Sequence, residues 1–172
     1  LWSMPLLTEL PQPVTNSQPP IYACDLHPSG AALAMADQAG LHVFDVQSGR
    51  RLYFQTGAGR RVWTVRYSPS GKYLAAGGAR GNQSANLSLF DTSDPLDPRA
   101  LWTNKSELVY GVVTSLDFSA DEQTLALGTV AGGAVLVQID SNPAAEMDVQ
   151  YLPGPAADTL ALAWRPNGGQ IA

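Results

Sequence analysis

Apolar residues in this chain recur at spacing two in short runs, and glycine and proline punctuate the runs. That pattern predicts β-strands joined by tight turns, with no helices. Four segments align with one another: IYACDLHPSGAALAMA from Ile21, VWTVRYSPSGKYLAAG from Val62, VTSLDFSADEQTLALG from Val113 and TLALAWRPNGGQIA from Thr159. Each opens on an apolar strand that ends in a bulky residue, Leu26, Tyr67, Phe118 or Trp164. A polar turn follows, with Pro28, Pro69, Ala120 and Pro166 in register, and then a second strand of the form L-A-x-A or L-A-L-G.

Turn chemistry supports the reading. Proline presets φ for the first bend, and Ser29-Gly30, Ser70-Gly71 and Asn167-Gly168 supply residues that turn at little cost. A third strand is expected at Leu41 to Asp45, Leu87 to Asp91 and Val135 to Ile139. A more polar fourth is expected at Arg51 to Gln55, Arg99 to Trp102 and Val149 to Leu152. The aligned turn positions are 41, 51 and 46 residues apart, which is the repeat length of four-stranded propeller blades. The expected fold is therefore all-β: a β-propeller of four-stranded antiparallel blades, present as an incomplete arc of a larger ring. Blades are expected at 21–56, 57–104 and 105–153. Residues 1–20 would hold outer strands of a preceding blade and a linker, and 154–172 the first half of a further blade. Closure takes about 4–8 blades, so the rest of a longer chain, another chain, or pairing of the two half-blades is expected to complete the ring.

These units resemble WD repeats, whose blades read roughly V-x-x-V-x-F-S-P-D-G…L-A-S-G-S…V-x-L-W-D. The likeness covers Ile21 to Asp45, Val62 to Asp91, Val113 to about Ile139 and Thr159 to Ala172. Phe44-Asp45 and Phe90-Asp91 occupy the Trp-Asp slot, whereas the third unit has Gln138-Ile139 there. The Gly-His dipeptide that usually opens a repeat is missing from every unit, so the family's Asp–His–Ser–Trp network is not expected in its usual form. Propellers of the TolB or prolyl-peptidase type use similar turns.

The V-x-x-V spacing in each first strand breaks strict alternation, and a β-bulge there accounts for it. The resemblance implies that the residues between those apolar positions reach the top face, where partners dock. They are Tyr22 and Ala23, Trp63 and Thr64, Thr114 and Ser115, and Leu160 and Ala161. Tyr22 and Trp63 are the candidate anchors, since exposed aromatics make good interface contacts; the competing expectation is that both pack between blades. Arg60 and Arg61 are placed in a loop between blades, where with Trp63 they would contact an acidic peptide or phosphate. RGNQSAN, Arg80 to Asn86, reads as a polar insert, a candidate partner loop. Asp37, Gly40, Asp45 and Asp91 are read as turn-forming residues. His27 is taken as a turn variant, His42 as outward-facing, and Asp121-Glu122 as a solvated pair in a surface turn.

Composition narrows the function classes. One cysteine, Cys24, excludes an internal disulfide and fits a reducing compartment, so the expected location is cytoplasmic. No metal-ligand spacing appears, no Gly-x-Ser-x-Gly elbow occurs, and GAGRRV lacks the context of a dinucleotide site. No catalytic residue, metal or cofactor is expected. The net charge of −5 argues against tracking phosphate backbones, and no apolar run approaches the ~20 residues of a membrane span. Nine of ten basic residues lie between Arg50 and Lys105, and Ser106 to Trp164 carries eight acidic residues and no basic one. That asymmetry is either scatter or a dipolar surface that steers a charged partner. The leading expectation is a non-enzymatic protein-interaction scaffold or sensor within a larger protein or complex, with protein or peptide partners, acidic ones included. The alternatives are the non-catalytic propeller of a hydrolase and a purely structural subunit.

Overall fold

A computed structural model describes residues 20–56, 60–80, 84–102, 111–130, 132–139, 148–154, 159, 161–165 and 170–172. Among these, twelve strands form three four-stranded antiparallel sheets, each a simple meander. The first holds β1 (Ile21–Leu26), β2 (Ala32–Asp37), β3 (Gly40–Asp45) and β4 (Arg51–Thr56). The second holds β5 (Arg60–Tyr67), β6 (Tyr73–Arg80), β7 (Ser84–Asp91) and β8 (Arg99–Trp102). The third holds β9 (Val113–Phe118), β10 (Thr124–Thr129), β11 (Ala134–Gln138) and β12 (Val149–Leu152). A start on a fourth is visible: Trp164 bridges Ile171, and Ala163 and Ala172 exchange backbone hydrogen bonds.

The sheets stack face to face through their inner strands, β1 against β5 and β5 against β9. Alternation along each strand decides what meets what. The first sheet offers a flat, alanine-paved face, Ala32, Ala34 and Ala36, with Leu41 and Val43. The second sheet fills it with Val62, Val65, Tyr67, Leu74 and Phe90. The reverse face of the second sheet, Tyr73, Ala75, Leu87, Leu89 and Trp102, receives Val113, Leu116, Phe118, Leu125, Leu127 and Val137 of the third. Each blade thus hides one face against its neighbour, and the repeat in the sequence is the repeat of that interface.

Two expectations are corrected. Arg60 and Arg61 belong to β5, paired with Arg80 and Ala79, so they are strand residues and not loop residues. Most of the RGNQSAN insert likewise extends the ladder, since Arg80 pairs with Ser84, Ala79 with Ala85 and Gly78 with Asn86. Residues 81–83 lie outside the described residues.

Candidate functional site

One feature recurs at the start of every inner strand. The β1–β2 ladder shifts register between Ile21 and Ala23, the β5–β6 ladder between Val62 and Thr64, and the β9–β10 ladder between Gly128 and Thr129. Tyr22, Trp63 and Thr114 are the residues left without a ladder partner. The broken V-x-x-V alternation therefore marks a bulge in all three sheets, on the same rim. In the second sheet the strands come close beside the bulge: a Cβ on Gly78 would lie 1.8 Å from the Arg61 carbonyl oxygen. That approach leaves room only for glycine.

The bulged side chains do different things. Tyr22 and Trp63 stack across the first inter-sheet joint, centroids 5.0 Å apart and planes 15° from parallel. Trp63 nevertheless keeps 37% of its surface exposed, and Arg61 is exposed beside it on β5. Thr64 is half-buried. Thr114 hydroxyl donates to the Gly128 carbonyl at 3.1 Å and reaches the Thr159 carbonyl of the fourth unit. The side chain of Arg60, and the whole of Leu160, lie outside the described residues.

The opposite rim is tied by contacts that no local pattern reveals. His27 is a turn residue, as expected, but it is also a clip. Its Nδ1 accepts from the Ser29 amide at 3.1 Å, so the proton rests on Nε2, which donates to the Gly71 carbonyl of the next turn at 3.0 Å. Thr92 donates to the same carbonyl at 2.7 Å. Glu122 is not a free surface acid: its carboxylate takes both the amide and the hydroxyl of Ser70 in the neighbouring turn. Asp25 accepts from the Tyr67 amide and Asp117 from the Trp164 amide, each at 2.7 Å. These two carboxylates peg one inner strand to the next. Arg66 occupies the corresponding position in the second sheet and pairs with Asp117 at 3.3 Å. Asp25, Arg66, Tyr67 and Asp117 line a hollow of about 220 Å³. Burial and the nearby Asp25 carboxylate push the Tyr67 hydroxyl well above its ordinary range.

The aspartates read as turn formers act as such. Asp37 accepts from the Ala39 and Gly40 amides, Asp45 from the Gln47 amide and Ser48 hydroxyl, and Asp91 from the Ser93 amide. His42 is not freely outward: it packs on Phe54 at 4.7 Å, with Nε2 3.1 Å from Asp37. Arg66, Lys72 and Arg99 of the second sheet and its turns do not share one patch. Arg66 faces Asp117, Lys72 lies over the Tyr73 ring and Arg99 pairs with Asp97.

Residues 49–83 match the family model for the WD domain, G-beta repeat. The matched stretch covers β4 to β6, so the sequence repeat straddles two sheets. The chain is also similar to the β-propeller domain of Myceliophteria thermophila Cps50 (Swd1): TM-score 0.67 and 18% identity over 88% of this chain. The fold is that of a β-propeller. A second similar structure, U3-55K, gives a TM-score of 0.62 and 20% identity over 87% of this chain. This chain spans about half of each structure, 48% of the first and 44% of the second. No curated protein matches it in sequence. WD40 propellers typically mediate protein–protein interaction within complexes. Among the described residues, no group of three or more His, Cys, Asp or Glu side chains is placed to hold a metal, and no helix is long and apolar enough to cross a membrane.

Proposed function

We propose that this arc is a non-enzymatic interaction scaffold within a larger protein or assembly, and that it docks a protein or peptide on the bulged rim. Tyr22, Trp63, Thr64, Thr114 and Arg61 form the docking edge, to which the sequence pattern alone adds Arg60 and Leu160. The supporting observation is the repeated bulge, which lifts one residue per sheet out of its ladder at the same end. Bulges re-aim side chains, and Trp63 emerges with an exposed ring on a scaffold otherwise locked by inter-sheet pegs.

A purely structural role for the same pair has its own support, because the Tyr22–Trp63 stack joins the first two sheets. Affinity enrichment with the parent, Trp63→Ala and Arg61→Glu chains separates the two readings. Docking predicts that both variants lose partners the parent retains while their unfolding midpoints stay within about 1 kcal/mol of the parent. Recovery of the same partners by both variants would set the docking edge aside.

The first sheet also supports a proposal about ring completion. Leu26, Leu33, Met35 and Phe44 hold the register positions that Tyr67, Leu74, Ala76 and Phe90 hold in the second sheet. In the second sheet those positions bury against the first. In the first sheet Leu33, Met35 and Phe44 are only half-buried and Leu26 is 52% exposed. A further sheet, from the rest of a longer chain or from another chain, is proposed to cover them.

A further inference from the structure

We propose that the hollow on the turn-side rim, between β1 and β5, takes a lysine or arginine side chain from a partner protein, with its cation on Asp25 and its alkyl stem along Leu26, Pro28 and Pro69. This surface lies at the opposite end of the sheets from the bulged rim and stands independently of the docking edge. One position recurs just before the bulky residue that ends each inner strand: Asp25, Arg66 and Asp117. From β1 to β5 to β9 it reads carboxylate, guanidinium, carboxylate, and all three residues line the hollow of about 220 Å³.

The charges there are not evenly matched. Asp117 has its cation, the Arg66 Nε at 3.3 Å. Asp25 accepts only amides, from Leu26 at 3.1 Å and Tyr67 at 2.7 Å, and among the described residues no cation pairs with it. Two carboxylates against one guanidinium leave one negative charge over, and a concave apolar surround focuses its field on an incoming cation. The walls suit a long basic side chain. Leu26, Pro28 and Pro69 are all exposed, an apolar lip along which such a side chain lays its stem while its charged head meets a carboxylate. Tyr67 lines the same hollow, and its buried hydroxyl has no hydrogen-bond partner among the described residues. Buried polar groups are seldom left so. A second anion would add to the excess charge, and an apolar side chain alone would leave Asp25 unmatched.

Amide NMR titration of the isotope-labelled chain with blocked tripeptides, acetyl-Gly-Lys-Gly-amide, acetyl-Gly-Arg-Gly-amide and acetyl-Gly-norleucine-Gly-amide, tests the proposal. The basic peptides are expected to shift the Leu26, Tyr67 and Ser68 amides saturably, and the tighter of the two identifies the preferred cation. Norleucine, which has the stem without the charge, is expected to leave those amides unmoved. Asp25→Asn keeps an oxygen for the Tyr67 amide and loses the charge, so binding is expected to weaken about two- to fivefold, the range of a partly exposed ion pair. Arg66→Gln removes the competing cation and is expected to tighten binding; that result carries the test by itself should the asparagine variant lose its fold. Trp63→Ala is expected to bind as the parent does. No saturable shift with either basic peptide, equal shifts with norleucine, or an affinity unchanged in both charge variants overturns the site.

Discussion

Glu122 has a left-handed backbone, φ 59°, in the slot where the aligned turns place Gly30 and Gly71 at φ 76° and 81°. A side chain there costs about 1–2 kcal/mol, and the two bonds from its carboxylate to Ser70 offset that cost. Glu122→Ala keeps the backbone strain and loses the bonds, so urea unfolding is expected to show a loss of about 1–2 kcal/mol. Glu122→Gly, which relieves the strain, is expected to lose less than the alanine variant. The neighbouring Asp121 carboxylate is held below the ordinary range, chiefly by the Ser119 hydroxyl and then by the Gln123 amide. Ser48 does the same for Asp45, and the Ser93 amide for Asp91. A depressed folded pKa contributes stability that is present above the unfolded value and is lost as pH falls through the folded one. Urea midpoints are therefore expected to fall as pH drops below about 4, less steeply in Asp121→Asn; identical slopes would contradict this role. At this scale the sequence discloses the turn aspartates, because their partners are two or three residues away. It does not disclose His27 or Glu122 as clips, because Gly71 and Ser70 lie 44 and 52 residues distant.

At the level of elements, strands and hairpins were legible because alternation and turn residues act locally. The third strands form at Gly40–Asp45, Ser84–Asp91 and Ala134–Gln138, and the fourth at Arg51–Thr56, Arg99–Trp102 and Val149–Leu152. The bulges were legible too, from one broken alternation. The length of the second sheet was not: polar Arg60, Arg61, Arg80 and Ser84 to Asn86 suggest loops, and only pairing across the ladders makes them strand. Gly78 marks how closely β6 approaches β5 beside the bulge. Gly78→Ala drives a methyl into the Arg61 carbonyl, which no side-chain movement can relieve. A loss of at least about 2 kcal/mol is expected in urea unfolding, together with a change in Trp63 fluorescence as the Tyr22 stack is disturbed. Unaltered stability would mean that the bulge is not built as described.

Across the whole molecule, each sheet buries one face against the next: an alanine-paved face meets Tyr67 and Phe90 at the first joint, and Tyr73, Leu89 and Trp102 meet Leu116, Phe118 and Leu125 at the second. Carboxylate pegs from Asp25 and Asp117 reinforce the stacking at the inner strands. The fold class was readable because the repeat is written four times; the proposed docking edge was only partly readable, since it depends on which rims coincide in space. The central claim is that the sheets are separate blades stacked face to face, and proton–proton nuclear Overhauser contacts in the 172-residue chain test it most directly. Contacts between the Tyr22 and Trp63 rings and between His27 and Tyr67 are predicted, with no Hα–Hα ladder between Arg51–Thr56 and Arg60–Tyr67. A continuous ladder joining those two strands, with the ring contacts missing, would contradict the account.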